Sequence, residues 1–372
     1  MAVVFIESGG DATLGLQHYV ASAGLVTVDQ SVAYTGPASI KCDTAAGNAE
    51  AYFTNNQAAD AGRRISFRFR FSALPAATAN ICTLSTSGIN PVASVRLRAD
   101  GKLQLGADTL AVGSTALAVN TWYRISFAYT ITSGTVNQFR IFLNGSLEVT
   151  KTNANLQFTG AFYHTLGWVF NLPGANTVAW YDDVYMDNLT TLTDPGNVAV
   201  TAKRPAAHST NQFGTAIGAN PANRWTNVNE RPISQTNGWQ STGSASQFET
   251  YMAEAAAVGD ANLTGATLLG HTPWAWGACA AGTPPSVNVV APNGTGYGVT
   301  VSTTPQMLAP GAISDSAYPT GGFGLNRLSG SVQAILYECG LLIAYIPAPV
   351  TLRGRKTLSG IGTGAGKRQM RQ

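Results

Sequence analysis

The feature that most restricts the fold of this chain is a stretch from Asn120 to Asn188 in which apolar and polar residues alternate. Between Tyr123 and Tyr129 every second residue is aromatic or aliphatic, and Phe139 to Leu143 repeats the pattern. Asn144-Gly145 follows at once, and both residues tolerate the positive φ angles of a type I′ turn. This pattern predicts antiparallel β-strands joined by tight turns, with one sheet face buried and the other in contact with solvent.

A further strand is predicted from Arg63 to Phe71. Its phenylalanines point to one face, and the opposite face carries Arg64, Arg68 and Arg70. Charged side chains along one face of a strand typically keep an exposed sheet face soluble, so we expect these arginines to lie in solvent. The alternative is that they bind an acidic partner.

Composition is typical of many short strands. Only 11% of the 372 residues are charged, whereas 45% are hydrophobic and glycine occurs 40 times. Aromatic residues make up 9%, which argues against disorder because disordered chains are poor in them. The length predicts two or three domains. The cysteines lie far apart and are expected as buried thiols, although one disulfide within each half stays an alternative (Cys42 with Cys82, Cys279 with Cys339).

Three runs of residues carry a family resemblance: Trp-Tyr-Arg-Ile-Ser-Phe at 122–127, Phe-Arg-Ile-Phe-Leu-Asn-Gly at 139–145 and Asp-Asp-Val-Tyr at 182–185. Their order resembles that of a laminin-G or concanavalin-A-like jelly roll, a sandwich of two antiparallel sheets. The resemblance covers residues 1 to 190 and implies that an Asp-Asp-Val strand closes the sandwich against the N-terminal strand. It implies no particular function, because this fold hosts lectins, glycanases, adhesion modules and virion proteins alike.

Turn-forming residues divide the chain. Thr193-Asp194-Pro195-Gly196 follows the jelly roll, so we predict a first domain at residues 1–193. Residues 194–349 have a loop-rich entry and then short strands separated by Gly and Pro, which predicts a second β-sandwich. Within it, Ser246 to Val258 has apolar residues at helical spacing and predicts one helix. Residues 350–372 are basic, rich in glycine and without apolar periodicity, which predicts an extended C-terminal arm on an otherwise all-β protein.

A second resemblance concerns the connection between the domains. The runs Val-Ala-Val-Thr-Ala-Lys-Arg-Pro at 198–205 and Arg-Trp-Thr-Asn-Val-Asn-Glu-Arg-Pro at 224–232 follow the jelly roll. This order is similar to a recurring architecture of tailed-bacteriophage virion proteins. It implies a structural subunit of a fibre, spike, collar or head decoration, which binds other virion proteins and further copies of itself. The arm has no counterpart in that family. Because no signal peptide is recognised, the expected location is the virion, after synthesis in the host cytoplasm.

Motifs for catalysis are missing from the sequence. Jelly-roll glycanases use a Glu-x-Asp-x-Glu strand, whose carboxylates act as nucleophile and acid/base, and this triplet does not occur. The four histidines have no carboxylate or cysteine neighbours at metal-ligand spacing. Neither a phosphate-binding loop nor a Gly-x-Ser-x-Gly elbow occurs. We therefore expect no enzymatic activity.

The densest acidic cluster consists of Asp182, Asp183 and Asp187. On an ideal strand Asp182 shares a face with Trp180 and Val184, while the other two acids lie on the opposite face. Calcium prefers several converging oxygens at about 2.4 Å, which these carboxylates and a loop carbonyl could supply. The favoured alternative is structural: Asp182 or Asp183 hydrogen-bonds the backbone of the N-terminal strand and closes the sandwich. No other cofactor is expected.

Two groups of residues indicate partners. Arginine and lysine pair with acidic protein surfaces, so the arm is expected to bind other virion proteins through its six basic residues: Arg353, Arg355, Lys356, Lys367, Arg368 and Arg371. Aromatic rings stack on sugars, so the alternative function is that of a carbohydrate-binding adhesin whose ligand is a host-surface polysaccharide. Most aromatic residues of a sandwich belong to its core, and the tryptophans expected at a ligand or subunit interface are Trp225 and Trp239.

Nucleic acid and membrane insertion are both disfavoured as main modes of action. The formal charge is +3, and the arm alone carries six basic residues and no acidic one, so the rest of the chain has a net charge of 3 − 6 = −3. The longest apolar run, Ala334 to Pro347, is interrupted by Glu338 and Gly340 and is shorter than a membrane span.

Overall fold

The computed structural model confirms the all-β prediction, because strands are the regular secondary structure of the residues it describes. None of these residues belongs to a helix long and apolar enough to cross a lipid bilayer. The structure describes residues 3–7, 21–23, 25–36, 38–44, 50–55, 62–85, 91–106, 110–131, 137–152, 163–170, 177–213, 215–217, 238–241, 246–257, 261–280, 282, 284–304, 306–308, 314, 317–329 and 333–349.

The first fifteen strands build an N-terminal sandwich of two antiparallel sheets. The eight-stranded sheet runs β13-β12-β11-β6-β15-β4-β3, with β1 paired to the second half of β15, and the seven-stranded sheet runs β10-β9-β8-β7-β14-β5-β2. The strands are β1 (Val3–Glu7), β2 (Ala21–Ala23), β3 (Leu25–Asp29), β4 (Ser39–Asp43), β5 (Glu50–Asn55), β6 (Gly62–Phe71), β7 (Ala79–Ser85), β8 (Pro91–Leu97), β9 (Lys102–Gly106), β10 (Ala111–Ala116), β11 (Tyr123–Ile131), β12 (Asn137–Leu143), β13 (Ser146–Lys151), β14 (Tyr163–Phe170) and β15 (Val178–Asp187).

The remaining strands form two further antiparallel sheets, as expected for a second sandwich. One has the order β18-β19-β26-β21-β24, with β16 paired to β26, and the other has the order β17-β20-β25-β22-β23. The strands are β16 (Ala199–Lys203), β17 (Pro205–Asn211), β18 (Thr215–Ile217), β19 (Gly238–Gln240), β20 (Gln247–Ala253), β21 (Thr267–Cys279), β22 (Ser286–Val290), β23 (Gly296–Val299), β24 (Gln306–Leu308), β25 (Phe323–Ser329) and β26 (Ala334–Ile346).

The alternating stretch forms paired antiparallel strands of the first sandwich, as predicted. Strand β11 pairs with β12 on one side and with β6 on the other, so that Ile125 and Phe127 lie opposite Phe67 and Ile65 in the core. Asn144 and Gly145 have φ angles of 51° and 93° and connect β12 to β13. The Asn-Gly turn therefore joins β12 and β13 into an antiparallel hairpin.

The helix predicted at Ser246 to Val258 is wrong. Strand β20 occupies that segment and pairs with β17 and β25. Glu249 and Tyr251 both point inward and are fully buried, and the Tyr251 hydroxyl donates a hydrogen bond of 2.7 Å to Glu249 Oε1. Residues 249 and 251 are thus buried with the period of two that is typical of a strand, although the apolar residues around them have helical spacing. Glu249 can occupy a core position because its carboxylate has a hydrogen-bond partner.

All four cysteines are buried as thiols, in agreement with the expectation. Cys42 and Cys82 lie in the core of the first sandwich, and Cys279 and Cys339 lie in the core of the second. Burial raises the pKa of Cys82 to about 12, so its thiol stays protonated near neutral pH.

Candidate functional site

Paired charges cover the outer face of the eight-stranded sheet. The Arg64 guanidinium lies 2.6 Å from Asp187 Oδ2, and Arg124 Nη1 lies 2.7 Å from Asp194 Oδ2. Arg64, Arg68 and Arg124 are each less than one tenth exposed. The prediction that the arginines of β6 lie in solvent is therefore wrong for Arg64 and Arg68.

The cover of this face comes from the chain after β15. Arg140 Nη1 donates to the Leu192 carbonyl at 2.9 Å, and Thr130 Oγ1 donates to the Thr190 carbonyl at 3.0 Å. Arg68 donates to the Asn197 side chain. Residues between the two sandwiches thus fold back over the sheet, and the arginines satisfy their carbonyl and carboxylate groups.

A bulge in β15 places the two adjacent aspartates. The pairing of β15 with β6 shifts between Asp182 and Tyr185, and Asp183 has a φ angle of 49°. The extra residue reverses the inward and outward alternation, so that Val184 packs in the core although Asp182, two residues earlier, faces outward. The ideal-strand prediction of which residues share a face is therefore wrong beyond Asp182.

Asp182 and Asp183 fix two separate parts of the chain. Asp182 Oδ2 accepts hydrogen bonds from the Tyr34 and Thr35 amides at 2.9 and 3.0 Å. Asp183 Oδ1 accepts from Thr35 Oγ1 at 2.5 Å and from the Val200 amide at 2.7 Å. Asp182 therefore holds the β3–β4 connection, and Asp183 also holds the start of the second sandwich. The predicted structural role takes this form, with partners other than the N-terminal strand.

Burial changes the acidity of this pair. Loss of water raises the pKa of Asp182 to about 8, and the neighbouring charge of Asp183 contributes in the same direction. Burial likewise raises the pKa of Asp183 to about 6, opposed by hydrogen bonds and by Arg68. Arg68 Nε lies 3.7 Å from Asp183 Oδ2, which is too far for a hydrogen bond.

Calcium binding by Asp182, Asp183 and Asp187 stays a prediction. The two adjacent aspartates bind amides and a hydroxyl, while Asp187 binds Arg64. Across the described ranges, no group of three or more His, Cys, Asp or Glu residues is arranged to hold a metal ion.

An apolar cluster continues the contact between the two sandwiches. Tyr185 of β15 packs with Val198 and Val200 at the start of the second sandwich and with the indole rings of Trp274 and Trp276 in β21. Ala202, Leu342 and Ala344 complete the cluster. This cluster and the adjacent ion pairs bury the face that in an isolated sandwich would meet solvent.

At the other end of the same sheet face, aromatic rings lie beside a cation. Tyr34 is exposed there, Arg70 and Trp122 are half-buried, and Trp180 is buried. Arg70 of β6 lies opposite Trp180 of β15, and its guanidinium is 5.1 Å from the centre of that ring. Trp122, just before β11, lies 5.9 Å from Tyr34 in an edge-to-face arrangement. We call these four residues, Tyr34, Arg70, Trp122 and Trp180, the aromatic–arginine surface.

Two rings of this surface, those of Tyr34 and Trp180, are held in place by polar partners. The Arg68 guanidinium packs on the Tyr34 ring at 4.0 Å, and Trp180 Nε1 donates to Asp29 Oδ2 at 2.8 Å. Arg70 Nη2 points to the Asn120 side-chain oxygen at 3.4 Å. Tyr34 is nevertheless 44% exposed, which makes it the most accessible ring of the group. The arrangement offers an aromatic face beside hydrogen-bond donors.

Sequence reasoning missed Tyr34, Trp122 and Trp180 as site residues. Trp122 precedes Tyr123 by one residue, and Tyr123 packs against the core. Strand alternation therefore places Trp122 on the outer face, with Arg124, and this signal was available in the sequence. Tyr34 lies in a connection between strands, and no sequence pattern places it above Arg68.

The aromatic residues predicted at an interface lie elsewhere. Trp239 belongs to β19 and is 3% exposed, so its ring lies in the core of the second sandwich rather than on an accessible surface. Trp225 lies outside the described residues, as do all six basic residues of the predicted arm, Arg353, Arg355, Lys356, Lys367, Arg368 and Arg371.

Comparison with known proteins shows similarity in fold. No protein-family model matches the sequence, and no curated protein sequence is significantly similar to it. An endo-β-1,4-glucuronan lyase from the fungus Trichoderma reesei is 15% identical with a TM-score of 0.40, over 50% of this chain and 97% of the lyase. Crh5 transglycosylase is 12% identical with a TM-score of 0.38, over 50% of this chain and 84% of the transglycosylase.

A third similar structure is the ligand-binding domain of botulinum neurotoxin serotype D in complex with N-acetylneuraminic acid. It is 13% identical with a TM-score of 0.32, over 49% of this chain and 48% of the toxin chain. At these identities the likeness concerns the jelly-roll β-sandwich alone. It gives no support to the virion resemblance.

The prediction that this chain has no enzymatic activity is contradicted by these neighbours, which include a polysaccharide lyase and a transglycosylase. The missing Glu-x-Asp-x-Glu triplet excludes one arrangement of hydrolytic carboxylates. The missing triplet does not exclude other kinds of catalysis, because this fold hosts enzymes with several different chemistries.

Proposed function

We propose that this protein binds carbohydrate at the aromatic–arginine surface. The observation that carries the proposal is the 44% exposed ring of Tyr34, set edge-to-face against Trp122 at the accessible end of the sheet. Sugars present apolar C–H faces ringed by hydroxyl groups, so a matching site combines aromatic faces with polar groups. Arg70 and Asn120 lie beside the rings and supply those polar groups.

Two of the three rings are already held in place without a ligand. Arg68 packs on Tyr34, and Asp29 accepts the Trp180 N–H, so little side-chain freedom is left to lose when a sugar binds. Carbohydrate also recurs in the names of the structural neighbours, whose likeness to this chain concerns the fold alone.

The test is binding of the full chain to an array of bacterial surface polysaccharides, followed by affinity measurements on the best binder. Tyr34→Ala and Trp122→Ala each remove one ring, so each is expected to weaken binding roughly five-fold, the equivalent of about 1 kcal/mol. Phe248→Ala is the matched control, because Phe248 is an exposed aromatic residue (37%) in the second sandwich.

Two results would contradict the proposal. One is the absence of binding to any polysaccharide of the array. The other is unchanged affinity of both ring variants while their melting temperatures match that of the unmodified chain.

We propose as a second candidate a structural role in a tailed-bacteriophage virion, as a fibre, collar or decoration subunit. What supports it is the resemblance of the runs at 198–205 and 224–232, which follow the jelly roll, to tailed-bacteriophage virion proteins. The basic residues 350–372 would pair with acidic surfaces of other virion proteins or of further copies of this chain. Deleting them should leave a folded protein that no longer enters particles, and normal incorporation would refute this role. Host-surface polysaccharide binding is compatible with it.

A further inference from the structure

A group of neighbouring polar residues lies on the opposite side of the first sandwich. On the outer face of the seven-stranded sheet, Arg96 of β8 lies between its cross-strand neighbours Asn80 of β7 and Gln104 of β9. Ser94 and Thr83 form the adjacent cross-strand pair. The residues between them in the strands, such as Val95 and Leu105, point into the core. Asn80, Thr83, Ser94 and Gln104 are uncharged and largely buried. We call these five polar residues the Arg96 recess.

The Arg96 side chain is held in a defined position. Its Nε donates to Ser94 Oγ at 2.7 Å, and its guanidinium lies over Gly106, which pairs with Ser94 from β9. A Cβ atom at Gly106 would overlap the guanidinium. The absence of a side chain at Gly106 therefore leaves the space that the guanidinium occupies.

The charge of Arg96 has no counterion in the described part of the chain. Three other arginines, Arg64, Arg98 and Arg124, each lie within ion-pair distance of a carboxylate, whereas Arg96 donates to the Ser94 hydroxyl. Burial alone lowers the pKa of the Arg96 guanidinium, with no carboxylate to raise it. A half-buried cation without a counterion favours the binding of an anion.

We propose that the Arg96 recess binds the carboxylate group of an acidic saccharide. A guanidinium matches a carboxylate through two parallel N–H donors, and its positive charge attracts a negative group. The amides of Asn80 and Gln104 and the hydroxyl of Thr83 flank that position and suit the hydroxyl groups of a sugar ring. The recess lies on the sheet opposite the aromatic–arginine surface, so it is a second site, which rests on its own observations.

The test uses the full chain and two forms of one polymer: an oligoglucuronate, and the same oligosaccharide after chemical reduction of its carboxyl groups to alcohols. Arg96→Gln should weaken oligoglucuronate binding roughly 10- to 100-fold, because a charge-assisted paired contact is lost. The carboxyl-reduced form should bind Arg96→Gln and the unmodified chain equally. Arg98→Gln is the matched control, since Arg98 is exposed and pairs with Asp100.

A second variant, Gly106→Ala, keeps the positive charge of Arg96 but changes the position of its guanidinium. Gly106→Ala should displace the guanidinium and weaken oligoglucuronate binding by at least several-fold, while Arg96→Lys, which retains only the charge, should bind between the unmodified chain and Arg96→Gln. Equal affinity of the unmodified chain for both forms of the polymer would overturn this proposal, as would unchanged affinity of a folded Arg96→Gln. Two results tell the sites apart. Tyr34→Ala should weaken binding of the array polysaccharide while leaving oligoglucuronate binding unchanged, and Arg96→Gln should have the opposite effect.

Discussion

Asp182 and Asp183 make the stability of this protein sensitive to pH. The pKa values of both carboxyls are raised from 3.8 in the folded chain, to about 8 and about 6, chiefly by burial. The folded state therefore binds more protons than the unfolded state between pH 3.8 and these raised pKa values. The stabilisation from this pair is complete below about pH 4 and is lost as the pH rises through 6 and 8. The loss is about 1.4 kcal/mol per pH unit for each extra proton that the folded state binds.

Replacement of one acid should reduce this decline. Asp183→Asn keeps an oxygen for Thr35 and Val200, and it removes the charge that helps to raise the pKa of Asp182. Urea unfolding between pH 6 and 8 should show a shallower loss of stability for this variant than for the unmodified chain. Asp100→Asn, at an exposed carboxylate, should leave the slope unchanged. Equal slopes in all three proteins would contradict the prediction. Calcium and then EDTA in the same measurement test the calcium prediction.

Individual strands were predictable where their signal is local. The alternation from Tyr123 to Leu143 and the Asn-Gly turn determine β11, β12 and β13 without reference to the rest of the chain. Trp122 was within reach of the same argument, because a strand places alternate residues on opposite faces. The aromatic–arginine surface as a whole was not predictable from the sequence. Tyr34 belongs to the β3–β4 connection, and it is held there by Asp182, which lies more than a hundred residues further along the chain.

Other elements depend on contacts that the sequence does not show. Alternation placed Arg64 and Arg68 on the outer face correctly, but an outer face is exposed only when nothing covers it. The bulge at Asp183 needs a positive φ angle. Aspartate tolerates this angle, but an aspartate in the sequence does not by itself predict a bulge. The Arg96 recess was missed for a related reason: the strand pattern places Arg96 outward, whereas its lack of a counterion emerges only from the folded neighbours.

The whole molecule depends on how the two sandwiches meet. Strands β1 and β15 of the first sandwich contact β16, β21 and β26 of the second. Apolar packing around Tyr185 and the hydrogen bond from the Val200 amide to Asp183 occupy the same contact. An isolated first sandwich would expose Arg64, Arg68 and Asp183 on a face built to be covered. We therefore expect the two sandwiches to unfold together in the unmodified chain.

Val200→Asp tests this coupling directly. Val200 is 1% exposed and lies beside Asp183, so a carboxylate there is buried next to another acid within the apolar cluster. We expect a destabilisation of roughly 3 kcal/mol or more and, in calorimetry, separation of one unfolding transition into two. Val119→Asp is the control, because the same substitution at a 42% exposed valine should leave one transition at the original temperature. Coupling through this cluster is refuted if Val200→Asp also melts in a single transition at that temperature, since the contact would then contribute nothing to holding the sandwiches together.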